Sequence, residues 1–185
     1  MTTTLLSAFV LMLASQGGMP GDTCLDAVNA SIGGNPFDTS NATDSGYGQP
    51  DESQCENTYL DWGDSPDAWM RWVAPSTGVA SFSTCDVNSY DTSLVLYRGP
   101  NCSSIVQIAC NGDGSGDSGC QSYYSKINFN VDSGATYYIR IGGYFGATGP
   151  GTLTISMSDG GSEGACCIGW DCDIQTSADC SAAGG

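Results

Sequence analysis

In KINFNV, residues 126–131, apolar side chains fall on every second position. Ile127, Phe129 and Val131 share one face, and Lys126, Asn128 and Asn130 share the other. Successive side chains of a strand point to opposite faces, so this alternation fits a half-buried strand and leaves no apolar stripe for a helix. TYYIRIGG repeats the pattern, with Tyr137, Ile139 and Ile141 set against Tyr138 and Arg140. In TLTISMS, Leu153, Ile155 and Met157 alternate with Thr and Ser. DAWMRWVA, GVASFSTC, TSLVLYR and SIVQIAC are further strand candidates, and the links are rich in Gly, Pro, Ser and Asp. Several short strands separated by turn signals predict an all-β chain, an antiparallel β-sandwich or jelly roll. From Cys24 onward no helical period outlasts a turn or two.

Composition narrows the setting. Only 13% of residues are charged, 26 are Gly, and Lys and Arg number 4 against 20 Asp and Glu, a net charge of -16. Such a field repels a phosphate backbone and argues against nucleic acid as a partner, while it attracts cations. The absence of histidine removes Ser-His-Asp and Cys-His catalysis and the His-based zinc sites. Ten cysteines in 185 residues read as disulfides if the chain is exported. Residues 5–14, LLSAFVLMLA, have the length of a signal-peptide h-region and are too short to span a bilayer, although MTTT brings no basic side chain. The expectation is a signal peptide over 1–18 and a secreted or cell-surface protein, not membrane-spanning once that segment is removed. The segment from Asn35 to Asp67, rich in Asp, Asn, Ser and Gly, reads as a long surface excursion. DGGSEG is a linker (159–164), and residues 165–185 hold four cysteines with almost no apolar core, so crosslinks must give them shape.

A set of segments carries a family likeness: GDTCLDAV (21–28), NPFDTSNATDSG (35–46), SPDAWMRWVAPSTGVASFSTC (65–85), YDTSLVLYRG (90–99), ACNGDGSGDSGC (109–120) and TYYIRIGGYFGATGPGTLTI (136–155). Together they resemble secreted bacterial β-sandwich domains of the pre-peptidase C-terminal type, over roughly residues 21–158, within a domain placed at 19–158. The tail is similar to a short Cys-rich module that continues beyond AAGG in other chains, which implies a piece of a longer protein. The resemblance implies a non-catalytic passenger on a larger secreted protein.

Six cysteines in the sandwich, Cys24, Cys55, Cys85, Cys102, Cys110 and Cys120, allow 15 connectivities. Cys102 and Cys110 flank one strand and its preceding turn, which favours a local bridge. The family likeness pairs Cys85 with Cys120, and Cys24 with Cys55 remains. In the tail, Cys166, Cys167, Cys172 and Cys180 pair among themselves or with further sequence. Thiolate metal binding is disfavoured, because no CxxC is present.

One loop stands out as a candidate cation site. In CNGDGSGDSGC (110–120), Asn111, Asp113, Ser115 and Asp117 occupy alternate positions, as oxygen ligands do in the first half of calcium loops. No Glu stands at the twelfth position, so an EF-hand is excluded, and Asp86 and Asp91 are the neighbours that would complete a looser calcium site. The alternative is a solvated Asp/Gly turn. Asp38 and Asp91 in FDTS and YDTS lack the Gly of aspartic-protease loops and read as turn caps. No carboxylate pair is marked out for glycoside hydrolysis.

Trp62, Tyr144 and Phe145 are the candidates for an exposed aromatic surface that stacks on sugar rings. Of Trp69 and Trp72, one belongs to the core whichever face is inward. N-x-[ST] matches at Asn29, Asn41 and Asn101 are expected by chance in so Ser/Thr-rich a chain. The sequence therefore predicts a non-catalytic extracellular module that binds or spaces, steadied by calcium, with an unidentified extracellular polymer or protein as partner. Its competitors are an auxiliary folding or attachment domain of a larger secreted hydrolase, a carbohydrate-binding module, and a self-assembling surface protein.

Overall fold

A computed structural model describes residues 21–158, 164–168 and 171–175. The signal-peptide reading (1–18), residues 159–163 of the linker and Cys180 lie outside the described residues. Nine strands form two facing sheets. The strands are β1 (Val28–Asn29), β2 (Gly33–Asp38), β3 (Ala68–Val73), β4 (Gly78–Ser83), β5 (Thr92–Arg98), β6 (Val106–Asn111), β7 (Lys126–Val131), β8 (Thr136–Gly143) and β9 (Pro150–Ser158). One sheet runs β1-β3-β8-β5-β6 and the other β2-β9-β4-β7. Every pairing is antiparallel except the two-residue contact of β1 with β3. The fold is an all-β, disulfide-stapled sandwich with three short 3-10 turns.

The alternation read from the sequence sets the inner core. Ile127 and Val131 of β7, Tyr137, Ile139 and Ile141 of β8, and Leu153 and Ile155 of β9 meet Met70, Trp72, Phe82, Leu94 and Leu96 between the sheets. Trp72 packs edge-on to Phe82 at 5.5 Å between ring centroids. Each such side chain contributes about 1.5–3 kcal/mol on leaving water.

The outer face of the five-stranded sheet departs from expectation. In β5, Leu94 and Leu96 point inward, but Val95 and Tyr97 on the opposite side are buried as well, and so are Tyr138 and Arg140 of β8. A coat covers them, formed by the 3-10 turn Cys24–Asp26 and by residues 40–67, with Leu60, Trp62, Cys24 and Cys55 joining Trp69, Val95, Tyr97 and Tyr138 in a second apolar cluster. Both Trp69 and Trp72 are therefore core, one on each side of the sheet. The predicted surface excursion is corrected on two counts. Its start forms edge strand β2, hidden in the sequence by two glycines and Pro36, which an edge tolerates. Its remainder covers the sheet and is anchored by the buried Cys55, Leu60, Trp62, Ser65 and Asp67.

Arg140 is the polar centre of this layer. It is 0% exposed, bonds Asp67 through Nε, donates from Nη1 to the Gly48 carbonyl at 2.7 Å, and lies 3.5 Å from the Asp44 carboxylate. Its guanidinium sits over the rings of Trp62 and Trp69, at 4.4 and 5.4 Å. Burial pushes the Asp67 carboxyl up, and Arg140 opposes that shift.

The disulfides fasten the coat. Cys24 bonds Cys102 and Cys55 bonds Cys110, which corrects the expected Cys102–Cys110 and Cys24–Cys55 bridges. The correction has a physical reason: Cys110 lies on the outer face of β6, under the coat, and the coat cysteines are its neighbours. Cys85–Cys120 forms as expected. In the tail, β10 (Gly164–Ile168) and β11 (Asp171–Gln175) make a hairpin closed by Cys167–Cys172. No cysteine among the described residues is free.

Candidate binding site

One end of the sandwich gathers most of the residues singled out in the sequence. β8 closes at Gly142–Gly143 and runs into the 3-10 turn Tyr144–Gly146. A side chain on Gly143 would meet the Ala147 carbonyl 2.1 Å from its Cβ, so only glycine permits this turn. Ser65 of the coat clasps Gly143, donating from Oγ to its carbonyl and accepting from its amide, both at 3.1 Å. The Tyr144 amide donates to the Asp91 carbonyl at 3.2 Å, tying the turn to the start of β5. Held on both sides, the turn projects Phe145, which is 76% exposed in a left-handed conformation (φ 50) with its ring edge-on to Tyr144 at 4.7 Å. An exposed aromatic in that region of backbone space costs about 1–3 kcal/mol, and such strain clusters at functional sites.

Beside the turn, the coat forms the other wall. Asp51 caps the 3-10 turn Glu52–Gln54, and the Glu52 carboxylate accepts from the Leu60 amide at 3.3 Å. Asp61 also has positive φ (39), and Gln49 donates to the Gly63 carbonyl at 2.5 Å. Between the walls lies a cavity of about 520 Å³, within the size range of ligand sites. Glu52, Asp61 and Asp64 bring it carboxylates, Phe145 and Trp62 bring aromatic rings, and no Lys or Arg lines it. Trp62 is not the exposed surface the sequence suggested. It is 1% exposed, with its benzo end against Gly142 and one face under Arg140. Its indole N–H is buried without a hydrogen-bond partner.

Behind Tyr144 the charge is again negative. Burial, and secondarily the Asp113 charge, push the Asp91 carboxyl up to about 6. The Tyr144 hydroxyl is raised chiefly by its bond to Asp61, with burial and the charges of Asp61, Asp91 and Asp113 adding. All four basic residues are committed elsewhere: Arg98 to Asp132, Lys126 to Asp117, Arg140 to Asp67, and Arg71 to the Asn29 side chain. The carboxylates at this end thus have no internal counter-ion.

The six proposed calcium ligands are not brought to one point. Asp113 lies near Asp91, but Asp117 faces the other way, ion-paired with Lys126 at 2.9 Å and accepting from the Tyr124 hydroxyl at 3.0 Å. Those bonds hold its carboxyl below the ordinary range. Asn111 turns inward and accepts from the Lys126 amide at 2.9 Å, Asp86 accepts from the Asn88 amide at 3.0 Å, and Ser115 is exposed. Among the described residues, no group of three or more Asp, Glu, Cys or His side chains is gathered to hold a metal ion. The loop is shaped by packing: Gly114 lies against the Tyr124 ring, where a Cβ would stand 2.6 Å from a ring carbon. Asp38, as a turn cap, accepts from the Ser40 amide at 2.8 Å.

Sequence reasoning missed Glu52, Asp61 and Asp64 as site residues, because the excursion that carries them read as loose surface. The spacing of DWGD (61–64), two acids around Trp62, is a signal for Asp61 and Asp64, and none marks Glu52. A second cavity of about 370 Å³, beside β1 and β2, is lined by Val28, Phe37, Trp69 and Met70, with Asp38 its sole titratable side chain.

No protein-family model and no curated protein matches the chain. Among solved structures, the chain is similar to the pre-peptidase C-terminal domain of collagenase from Bacillus anthracis, with a TM-score of 0.43 and 13% identity over 70% of this chain and 94% of that one.

Proposed function

We propose that the chain is a non-catalytic binding module of an exported protein, and that its binding site is the acidic, aromatic-edged cavity between the coat and the 144–146 turn. The observation that carries this reading is the strained, exposed Phe145 beside three carboxylates that have no counter-ion in the protein. The disulfides among the described residues support an extracellular setting. The absence of histidine removes the His-based nucleophile–base pairs. Co-sedimentation of the oxidised chain with insoluble cellulose, chitin, peptidoglycan and gelatin tests it. Retention on one of them that drops for Phe145→Ala supports the module. Equal behaviour of Phe145→Ala and the parent on every matrix removes the site.

A calcium ion is a separate proposal with a narrower basis, the unneutralised neighbours Asp91 and Asp113. A ligand at 100 times its Kd adds about 2.7 kcal/mol, so melting in calcium against EGTA decides it. An unchanged midpoint rejects calcium.

A further inference from the structure

We infer that the open edge of β7 pairs with the same edge of a second copy of this chain, joining two four-stranded sheets into one of eight strands. This goes beyond the binding-module reading and does not rest on it. An edge strand presents unpaired backbone groups, and proteins that stay apart blunt each such edge. Among the described residues, the two facing sheets have four edges, and three are blunted. β1 is two residues long, β2 carries Gly33, Gly34 and Pro36, and β6 has a register shift opposite Leu96 and Tyr97. The coat also holds β6, through the bonds between Gln107 and Asp51. The fourth edge is β7, KINFNV, six regularly paired residues with no Pro, no Gly and one charge.

The direction of its backbone groups follows from the pair that precedes it, in which the Thr84 amide donates to the Ser125 carbonyl at 3.0 Å. Bonded pairs recur at every second residue of an antiparallel ladder. Ile127, Phe129 and Val131 therefore bond β4, while Lys126, Asn128 and Asn130 turn their backbone groups outward. The Asn111 side chain takes the Lys126 amide at 2.9 Å. Outside the ladder, no backbone bond reaches Asn128 or Asn130 among the described residues.

The strand is its own complement. In antiparallel register centred on Phe129, Asn128 of each copy faces Asn130 of the other, and their outward groups exchange N–H···O bonds in both directions. The two Phe129 side chains, partly buried in one copy, come opposite each other as an aromatic cross-strand pair. The same register sets Lys126 opposite Asp132 of the second copy. Lys126 already holds Asp117, and Asp132 holds Arg98, yet their side chains are 26% and 61% exposed. Each contact thus links two ion pairs into a row of alternating charge. This complementarity selects a second copy over an arbitrary extended segment, which would have to bring an acid and a base at the same spacing.

The test is sedimentation equilibrium of the oxidised full chain in about 0.15 M NaCl, where a Debye length of about 8 Å limits the repulsion between two acidic bodies. The contact is small, so the expected dissociation constant is about 100 μM. Asn128→Pro removes an amide that the ladder does not use, and it should leave a monomer. Lys126→Asp and Asp132→Lys each set like charges face to face and weaken self-association about tenfold. Mixed one to one, these two variants restore opposite charges at both contacts and form a dimer with the affinity of the parent. Hydrogen exchange at the Asn128 and Asn130 amides slows as the parent concentration rises. Circular dichroism melts show that each variant folds, and where proline disturbs the fold the mixture decides.

A parent chain still monomeric at about 1 mM overturns the inference. If acetyl-Thr-Val-Thr-Val-Thr-amide then slows exchange at Asn128, the edge belongs to another extended partner. A dimer that survives Asn128→Pro with its fold intact uses a different surface and overturns the inference too. A mixture no more associated than its two components overturns the register, and the second copy falls with it.

Discussion

Both faces of the five-stranded sheet are buried over β5 and β8, by different means. The inner face meets a second sheet, whose strands satisfy their own backbone groups through the ladder and need supply only apolar side chains such as Phe82, Leu153 and Ile155. The outer face meets an irregular coat, which has no ladder and is tied to the sheet largely through side chains. Ser93 donates to the Leu60 carbonyl at 3.2 Å, Thr58 accepts from the Gly112 amide at 2.8 Å, Gln107 bonds Asp51 in both directions, and Arg140 reaches the Gly48 carbonyl. Two disulfides complete the attachment. An irregular layer can be as well buried as a sheet, but it needs polar and covalent fastenings to stay so, and it can carry a cavity that two flush sheets could not.

The largest expected effect is on the polar fastening. Arg140→Ala leaves Asp67 charged and buried, and removal of one partner from a buried pair costs about 3–5 kcal/mol. Urea unfolding should show this loss, and the double variant Arg140→Met/Asp67→Leu should recover most of it. Next comes the packing comparison. Leu60→Ala in the coat and Leu96→Ala on the inner face, both at 0% exposure, should each cost about 2–5 kcal/mol. A cost of only a few tenths at Leu60 would show a draped coat, not a packed one.

Removal of Cys55–Cys110 by paired alanines should cost about 2–4 kcal/mol, read as a lower thermal midpoint, with loss of protection concentrated in residues 40–67. The smallest effect concerns pH. The Asp91 carboxyl sits at about 6 in the fold against about 3.9 unfolded, so protonation favours the folded state. Its contribution is full below about pH 4 and is lost as pH rises through about 6. The midpoint of Asp91→Asn relative to the parent should therefore rise between pH 4 and pH 7. A difference that is flat across that range would contradict the burial of this carboxyl.

The inner core was legible in the sequence because period-two alternation reports a face directly. Ile127, Ile139 and Leu153 stand where the pattern puts them. The outer core was written in a weaker signal. Leu94 to Tyr97 is a continuous apolar run, the mark of a strand buried on both sides, but the polar excursion offered no apolar period to pair with it. Arg140 read as a solvent-facing partner of the alternation, since nothing local reveals that Asp67 lies beneath the coat with it. The disulfides went astray for the same reason: without a coat over β6, the nearest partner for Cys110 in sequence was Cys102. Tyr144 and Phe145 were found because a Gly-rich turn exposes what it carries. The carboxylates opposite them come from far along the chain and become neighbours only through the fold.

Native-state hydrogen exchange on the oxidised protein tests the packed coat most directly. The amide of Asp67 bonds the Thr43 carbonyl and that of Gly112 bonds Thr58 Oγ1, and both should exchange with protection close to that of the β5 and β8 amides. Exchange of these amides at the rate of an open loop, with β5 and β8 still protected, would contradict a second core and remove the rigid wall on which the binding cavity depends.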